Sequence, residues 1–444
     1  MVNGRQSSNS YQEDLLWGVQ IEGILLATVW FAFLLYVLMR SSSTYSSKFI
    51  LMLFSIKVIG AFALQAIFTY YYTDRSTADI YRFFDDGMIL RDTMFTHPTD
   101  FFRMLFGWKV DDPNLRIHYF ERMNAWIRPF DAGLYNDNHF MIRINALMGF
   151  VSFGYYEVHG LHFTFLSFLG IKWSVDALVK EPRAARWGLA LAILFPSSLL
   201  WLSGGLKEAM LMLGIGAALK VLTLKGSNWK AVLPYALLAV FVLTQLKLYV
   251  LLFLLPAGIV LWARQRWHLR LLSSYTLWLI IGVVGIISIY LIGIDISGSI
   301  VQKQHDFINH VTEINSGSAF ELSRLSPSYA SLIAHIPEAL MNTLIRPFPF
   351  EVSSPPESLM LLENAFIWVL LICALIARFK YGIESPSVWW MILLLLPLFI
   401  LTGLVTPVFG AIMRYRAPAL VLLLVSISPF IRDLWQKVLT PTQK

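Results

Sequence analysis

Five aspartates follow a long apolar segment within residues 73–92, in a chain of which only 14% of the residues are charged. They are Asp74, Asp79, Asp85, Asp86 and Asp92. Carboxylates in such a cluster can deprotonate or orient a hydroxyl group in a transfer reaction. A solvated helix face would use the same residues without any chemical role, so both interpretations stay open for each aspartate.

The spacing within this stretch predicts an amphipathic helix that lies on a membrane surface. At 100° per residue, an apolar stripe is formed by Ile80, Phe83, Phe84, Gly87 and Met88. Asp79 and Asp86 project from the opposite side, with Arg82 between them. We therefore expect the apolar side to face lipid and the carboxylates to face water. Asp79 and Asp86 share this face and are favoured over Asp85 as catalytic residues.

Composition places these residues in a membrane protein. Apolar residues make up 57% of the 444-residue chain and occur in repeated long runs. The predicted fold class is all-α, a polytopic integral membrane protein with about eleven transmembrane helices.

The single cysteine, Cys373, excludes disulfides and cysteine-based metal sites. No cleavable signal peptide is expected, because the N-terminus is polar and the first apolar run is too long. The predicted spans are 16–39, 49–72, 158–179, 187–203, 206–224, 231–246, 248–263, 272–293, 359–377, 387–404 and 415–431.

Loops rich in Lys and Arg follow alternate predicted spans, which is the positive-inside pattern. These basic segments are residues 40–48, 180–186, 225–230, 264–270, 378–380 and those from 432 onward. Placing all of them in the cytoplasm leaves the N-terminus outside and the C-terminus inside. The protein is thus expected to be multi-pass in the cell (inner) membrane. Because the basic residues punctuate short loops, a nucleic-acid partner is not expected.

This topology leaves two large extracytoplasmic segments, residues 73–157 and 294–358, within a single membrane domain of residues 1–444. Both are longer than ordinary connections and are expected to be functional and to contain amphipathic helices. Within the first, residues 141–156 are read as an outer-surface or re-entrant helix. Its Arg143 and Asn145 are expected to face water.

A broken hairpin at residues 195–208 brings polar groups to the outer edge of the membrane. Pro196 and the Gly204–Gly205 pair interrupt the helix and leave backbone groups unpaired. The polar residues brought there are Ser203, Lys207 and Glu208. A backbone nest beside a cation suits a phosphate, whereas a Lys–Glu pair that only caps a helix is the alternative.

Basic residues on the outer side run against the positive-inside tendency. They are Arg346, Arg414 and Arg416, together with Lys247 at the turn of a long apolar stretch. One explanation is that these long side chains snorkel, with the stem in the apolar layer and the charged group among the lipid headgroups. Bidentate binding of a pyrophosphate is the sharper explanation for the arginines.

These motifs together resemble the GT-C superfamily of polytopic glycosyltransferases, which take a sugar from a polyprenyl-phosphate carrier on the outer side of the membrane. The resemblance is carried by the acidic helix 79–92, the hairpin 195–208 and the Gly-x-x-x-Arg-Tyr-Arg-x-Pro run of residues 410–418. The acidic loop follows the second predicted span rather than the first. Asp85–Asp86 also stands where Asp-x-Asp or Asp-Glu is usual. A large soluble C-terminal domain is absent, so a protein acceptor bound by such a domain is not expected.

The expected function is transfer of a sugar from a polyprenyl-(pyro)phosphate donor to a surface glycan or lipid acceptor on the outer side. The expected catalytic residues are Asp79, Asp86 and Asp85. The expected donor phosphate contacts are Lys207, Arg346, Arg414, Arg416 and Lys247, with Arg82, Ser203 and Glu208 in support. Metal ligands are not assigned, and a divalent cation, Mg²⁺ or Mn²⁺, stays an open alternative.

Two other functions fit the same architecture. A surface polysaccharide polymerase or ligase would also take an outer lipid-pyrophosphate and use outer arginines. A lipid-linked glycan flippase or transporter would instead predict inverted repeats and charges at mid-membrane. The charges of this chain cluster at one predicted surface, and no repeat of fixed period is visible, which favours the transferase.

Overall fold

The structure is a computed structural model that describes residues 19–41, 44–72, 74–127, 136–224, 229–267, 271–313, 317–383 and 386–439. Regular structure in these ranges is helical, apart from one isolated bridge between Ala319 and Val408. The predicted all-α class is therefore confirmed. The start of the first predicted span and parts of the basic loops 40–48, 225–230 and 264–270 lie outside the described residues.

The first helices of the chain are α1 (Ile21–Arg40), α2 (Ser47–Ala66, continued by a π-helical turn at Ile67–Tyr71), α3 (Asp79–Thr96), α4 (Pro98–Phe106), α5 (Pro113–His118), α6 (Asn138–Ser152), α7 (Tyr156–Leu178), α8 (Pro182–Leu194), α9 (Pro196–Trp201) and α10 (Lys207–Thr223). The later helices are α11 (Trp229–Leu246), α12 (Leu248–Trp267), α13 (Leu271–Leu291), α14 (Ile296–Glu313), α15 (Tyr329–Ala334), α16 (Ile336–Leu344), α17 (Pro355–Tyr381), α18 (Pro386–Val405) and α19 (Phe409–Leu439).

Each predicted span coincides with one or two of these helices. Within the described residues, five helices are long and apolar enough to cross a membrane. They are Ile21–Arg40, Ser47–Tyr71, Trp229–Leu246, Pro355–Tyr381 and Phe409–Val438. Shorter apolar helices cover Leu248–Val260, Ser274–Ser288 and Ile392–Val405. The chain thus has the apolar helices of a membrane-embedded protein, and the number of about eleven spans stays a prediction.

The chain divides into two compact units. Unit 1 comprises Met1–Leu169 with Leu199–Met210, and unit 2 comprises Gly170–Ser198 with Leu211–Lys444. The single membrane domain expected from the sequence stays a prediction.

In unit 1, helix α3 packs closely along α6. A Cβ atom on Gly87 would lie 2.6 Å from Asn145 Cβ and 3.0 Å from Ala146 N, so only glycine permits this approach. Asn145 is buried, and its Oδ1 lies 2.7 Å from Nδ1 of the buried His159. Arg143 is half-buried and donates to Met104 O at 3.0 Å. The prediction that Asn145 faces water is therefore wrong, because this side of α6 packs against α3 and α7. Arg143 is only half-buried, so its predicted exposure to water is not contradicted.

Unit 2 is organised around α19, which packs against α8, α17 and α18. Elsewhere in the unit, α7 and α10 meet at two glycines. A Cβ on Gly170 would lie 2.3 Å from Met212 O, and one on Gly216 would lie 2.2 Å from Gly170 O. Small residues at such contacts let apolar helices approach to backbone distance, which is how helices associate in a lipid environment.

The predicted topology can be tested with single cysteines in a Cys373→Ala background. Arg116 and Glu321 are exposed and belong to the two predicted outer segments, while Arg183 and Lys380 are exposed in predicted cytoplasmic loops. We expect cysteines at 116 and 321 to react with a membrane-impermeant maleimide in intact cells. Cysteines at 183 and 380 should react only after permeabilisation. Labelling of position 183 from outside would show that residues 141–179 cross the membrane twice.

Candidate functional site

Asp79 opens the first turn of α3 in unit 1, where a carboxylate is favoured by the helix dipole. Its side chain is 25% exposed, and its Oδ1 lies 3.8 Å from Arg82 NH1. Arg82 is held in turn by the chain, since its NH2 donates to Asn124 O at 2.8 Å. The buried Nε of Arg82 has no hydrogen-bond partner within the described residues. Asp79 and Arg82 therefore form a loose, partly exposed pair.

Asp85 is buried in an ion pair instead of facing water. Arg75 Nε donates to its Oδ2 at 2.8 Å and Arg75 NH2 donates to its Oδ1 at 2.7 Å. The same guanidinium lies 4.3 Å from the centre of the Tyr81 ring. Burial raises the pKa of Asp85, and Arg75 opposes this rise. Both carboxylate oxygens are thus occupied by a residue that sequence reasoning did not single out.

Asp86 is also buried, at 0% exposure, which contradicts its predicted water-facing position. The N–H groups of Asn124 and Ala125 donate to its two oxygens at 2.8 and 2.7 Å. Burial raises the pKa of Asp86 to about 7 against the effect of these bonds. The prediction failed because the segment after α5 folds back over this side of α3. Helical spacing cannot show which side of a helix a distant segment will cover.

A chain of hydrogen bonds continues from Asp86 to Lys207 within unit 1. Asn138 Nδ2 donates to Ala125 O at 2.9 Å, and Lys207 Nζ donates to Asn138 Oδ1 at 2.5 Å. Lys207 also pairs with Asp137 at 2.9 Å and lies 5.1 Å from the Phe83 ring centre. The structure thus links the predicted cation to the predicted acidic helix. Asp137 and Asn138 were missed, although the polar run Asn136–Asn138 before an apolar helix was a visible signal.

The remaining hairpin residues are enclosed by protein. Ser203 is buried and accepts from Nζ of the buried Lys57 at 3.3 Å, and Glu208 is likewise buried. The N–H groups of Gly204 and Gly205 donate to Thr164 Oγ1 at 3.0 Å and Tyr156 Oη at 3.1 Å. The backbone donors that the sequence offers to a phosphate are therefore occupied by side chains of the same unit.

Arg346 of unit 2 is held by a carboxylate and lies over an aromatic ring. Its guanidinium pairs with Glu351 and lies 4.5 Å from the centre of the Phe320 ring. The Phe320 ring stacks on Phe409 with centroids 4.7 Å apart. Burial acts to raise the pKa of Glu351, but the bonds from Arg346 and the Phe348 N–H hold it below its usual value. A phosphate that binds Arg346 would have to compete with this carboxylate.

Arg416 is fully buried in unit 2 with an ion-pair partner. Its NH2 donates to Glu363 Oε2 at 3.0 Å and its NH1 donates to Thr343 O at 2.5 Å. Glu363 also accepts from the N–H and hydroxyl groups of Ser197, at 2.6 and 2.5 Å. These contacts tie α19, α17, α16 and α9 together. They give Arg416 a structural partner, and its predicted contact with the donor phosphate stays a prediction.

Lys247 and Arg414 lie against one aromatic ring in unit 2. Lys247 Nζ is 4.3 Å and Arg414 Cζ is 5.6 Å from the centre of the Tyr415 ring. All three side chains are half-buried. Of the outer cations predicted in unit 2, these two combine partial exposure with a shared aromatic platform. A group of three or more His, Cys, Asp or Glu side chains able to hold a metal is not found among the described residues.

The raised pKa of Asp86 predicts a pH dependence of stability. The ordinary pKa of an aspartate carboxyl is about 3.9, and burial in the folded protein raises the pKa of Asp86 to about 7. Between these values the folded state binds more protons than the unfolded state, so this group makes stability fall as pH rises. We therefore compare wild type with Asp86→Asn, which lacks the titrating group. From pH 4 to pH 7, the unfolding temperature of wild type should fall relative to that of the variant. A difference that is constant over this range would contradict the assignment.

The buried ion pair of unit 2 predicts a large effect on stability. Arg416→Met leaves Glu363 without its cation and should cost about 3–5 kcal/mol in denaturant unfolding of the purified protein. Adding Glu363→Gln removes the unpaired charge while the amide oxygen still accepts from Ser197, so it should recover part of the loss. Arg324→Met, at an exposed site, is the control and should change stability by less than about 0.5 kcal/mol. Wild-type stability of Arg416→Met would contradict the structural role.

No family model, curated protein or solved structure matches this chain. The resemblance to GT-C glycosyltransferases therefore stays a proposal.

Proposed function

We propose that this chain is a membrane glycosyltransferase that moves a sugar from a polyprenyl-(pyro)phosphate donor to a surface glycan or lipid acceptor. It would be integral to the cell (inner) membrane, with its active site on the extracytoplasmic side. The long apolar helices and the motifs that resemble the GT-C superfamily support this proposal. The observation that supports it best is the contrast among three carboxylates of α3. Asp85 and Asp86 are buried, whereas the side chain of Asp79 is 25% exposed beside Arg82.

Asp79 is the proposed catalytic base. It would orient the acceptor hydroxyl and take its proton as the sugar is transferred. The pairs of Asp85 with Arg75 and of Asp86 with the Asn124–Ala125 backbone anchor α3 six and seven residues after Asp79. A base on a fixed helix end loses little freedom when substrate binds, which lowers the barrier of a transfer reaction.

Transfer from a phosphate carrier also needs cations that take up the charge of the departing phosphate. Lys247 and Arg414 of unit 2 are proposed for contact with the donor phosphate, because they are half-buried and share the Tyr415 ring. Arg346 and Lys207 remain candidates whose carboxylate partners, Glu351 and Asp137, a phosphate would have to replace. A bound Mg²⁺ or Mn²⁺ is an alternative source of positive charge.

The polymerase or ligase alternative would use the same donor chemistry and differ in the acceptor. Supplying purified protein with a radiolabelled polyprenyl-phosphate sugar and different acceptors separates these possibilities. Movement of the intact labelled lipid across a vesicle membrane, without transfer of its sugar, would instead support a flippase.

The role of Asp79 predicts a specific kinetic change. Asp79→Asn should lower kcat by roughly 10²-fold or more, because a base acts in the transition state, and donor affinity should change little. The matched control is Asp92→Asn, on the same helix, where the side chain is 53% exposed and pairs with Arg91. Turnover is measured with the reconstituted protein, and donor affinity is measured separately by equilibrium binding.

Arg414→Ala should weaken donor binding, because the phosphate is present in the ground state as well as in the transition state. Arg414→Lys should restore binding only in part, since lysine cannot make a bidentate contact. If Asp79→Asn keeps the wild-type kcat, Asp79 is not the base and its proposed catalytic role is wrong.

A further inference from the structure

Helix α4 of unit 1 is apolar on two sides. Phe101 and Met104 are buried against the rest of the unit. On the outward side, Phe102 is 47% exposed and Phe106 is 75% exposed, with the half-buried Leu105 beside them. These three residues follow the i, i+3, i+4 spacing of one helix stripe. A helix that faces water on its outer side carries polar residues there, so this stripe calls for an apolar neighbour.

Ring contacts extend the outward side of α4 into a continuous aromatic surface. Phe102 and Phe106 stack with centroids 6.2 Å apart, and Phe101 contacts both Phe102 at 5.2 Å and Phe150 at 5.9 Å. Phe150 in turn contacts Phe95, which is 74% exposed, at 6.0 Å. The surface therefore includes Phe95 at the end of α3, Phe102 and Phe106 on α4, and Phe150 on α6.

The turn after α4 holds a further exposed aromatic residue in a fixed position. Arg103 NH2 donates to Lys109 O at 2.9 Å and to Asp112 Oδ2 at 2.8 Å, which closes the turn. Lys109 adopts a φ of 50°, in the left-handed region that is unfavourable for a residue with a side chain. Within this turn Trp108 is 63% exposed. The backbone strain at Lys109 thus supports a conformation that directs Trp108 outward.

The composition of this surface fits the interface of a lipid bilayer. Large aromatic side chains beside cations are the residues that anchor proteins at headgroup depth. Lys109 Nζ lies 5.3 Å from the Trp108 ring, so its ammonium group can reach lipid phosphates while the ring lies among the acyl chains. Unit 1 also contains the apolar helices Ile21–Arg40 and Ser47–Tyr71, which would hold it at a membrane. Tyr70 and Tyr71, at the end of the second helix, are 69% and 58% exposed, as in an aromatic belt.

We propose that α4 and the turn at residues 107–112 dip into the outer leaflet and seat the first large loop on the bilayer. The sequence assigned membrane contact to the stripe of Ile80, Phe83 and Phe84 on α3, but the structure buries these residues inside unit 1. The aromatic surface of α4 takes over that contact. This inference depends on the chain being embedded in a membrane with residues 73–157 on its outer side, and it is independent of the proposed transfer reaction.

Depth measurements on the full-length protein test this inference. Spin labels are attached to Phe106→Cys and Trp108→Cys in a Cys373→Ala background, and the protein is placed in nanodiscs of phosphatidylcholine and phosphatidylglycerol. The control is Arg116→Cys, on the neighbouring helix α5, where the side chain is 66% exposed. We expect labels at 106 and 108 to collide more often with oxygen, which concentrates in lipid, than with the water-soluble nickel complex NiEDDA. The label at 116 should show the reverse.

Two results would overturn the proposal. Collision with NiEDDA at 106 and 108 as frequent as at 116 would place the surface in water. Low collision rates with both reagents would instead show that another protein segment covers it. Should a label at 106 prevent folding, Phe95→Cys reports on the same aromatic surface and has the same expected outcome.

Discussion

Burying a carboxylate in a chain this apolar requires hydrogen-bond donors or a cation at its side, because desolvation of the charge is otherwise too costly. Three buried carboxylates meet this requirement through contacts with other segments of their own unit. Asp86 binds the backbone after α5, Asp85 binds Arg75, and Glu363 binds Arg416 and Ser197. Each bond holds two parts of the chain together. The positions of α3 in unit 1 and of α19 in unit 2 depend on these pairs.

The same requirement separates structural charges from candidate functional ones. A carboxylate with both oxygens enclosed, such as Asp86, cannot reach an acceptor hydroxyl, even though a pKa of about 7 would suit a base. Asp79, about two turns earlier on the same side of α3, keeps a partly exposed side chain beside Arg82. The enclosed acids hold the helix in place, and the partly exposed acid at its start is the one that we propose as the base.

The apolar stripes of α3 and α4 have different surroundings. The apolar stripe of α3 is buried inside unit 1, where α3 lies along α6 at Gly87. The outward stripe of α4 is left for an external apolar phase, and the turn closed by Arg103 extends it to Trp108. A short helix directly after α3, rather than α3 itself, thus carries the surface that fits a membrane interface.

The sequence by itself determined the all-α class, the positions of the apolar helices and the clustering of polar residues around residues 73–92 and 195–208. These features depend on composition and on spacing along one helix, which are local properties. Only the tertiary structure decided which charged side chains are buried and which residues they pair with. Spacing placed Asp79 and Asp86 on one side of a helix, but it could not show that Asn124 and Ala125 would cover one of them. Nor could it show that Arg416 would meet Glu363, because such pairs join residues far apart in the chain. Burial and pairing depend on packing between distant segments, and that information is absent from any single stretch of sequence.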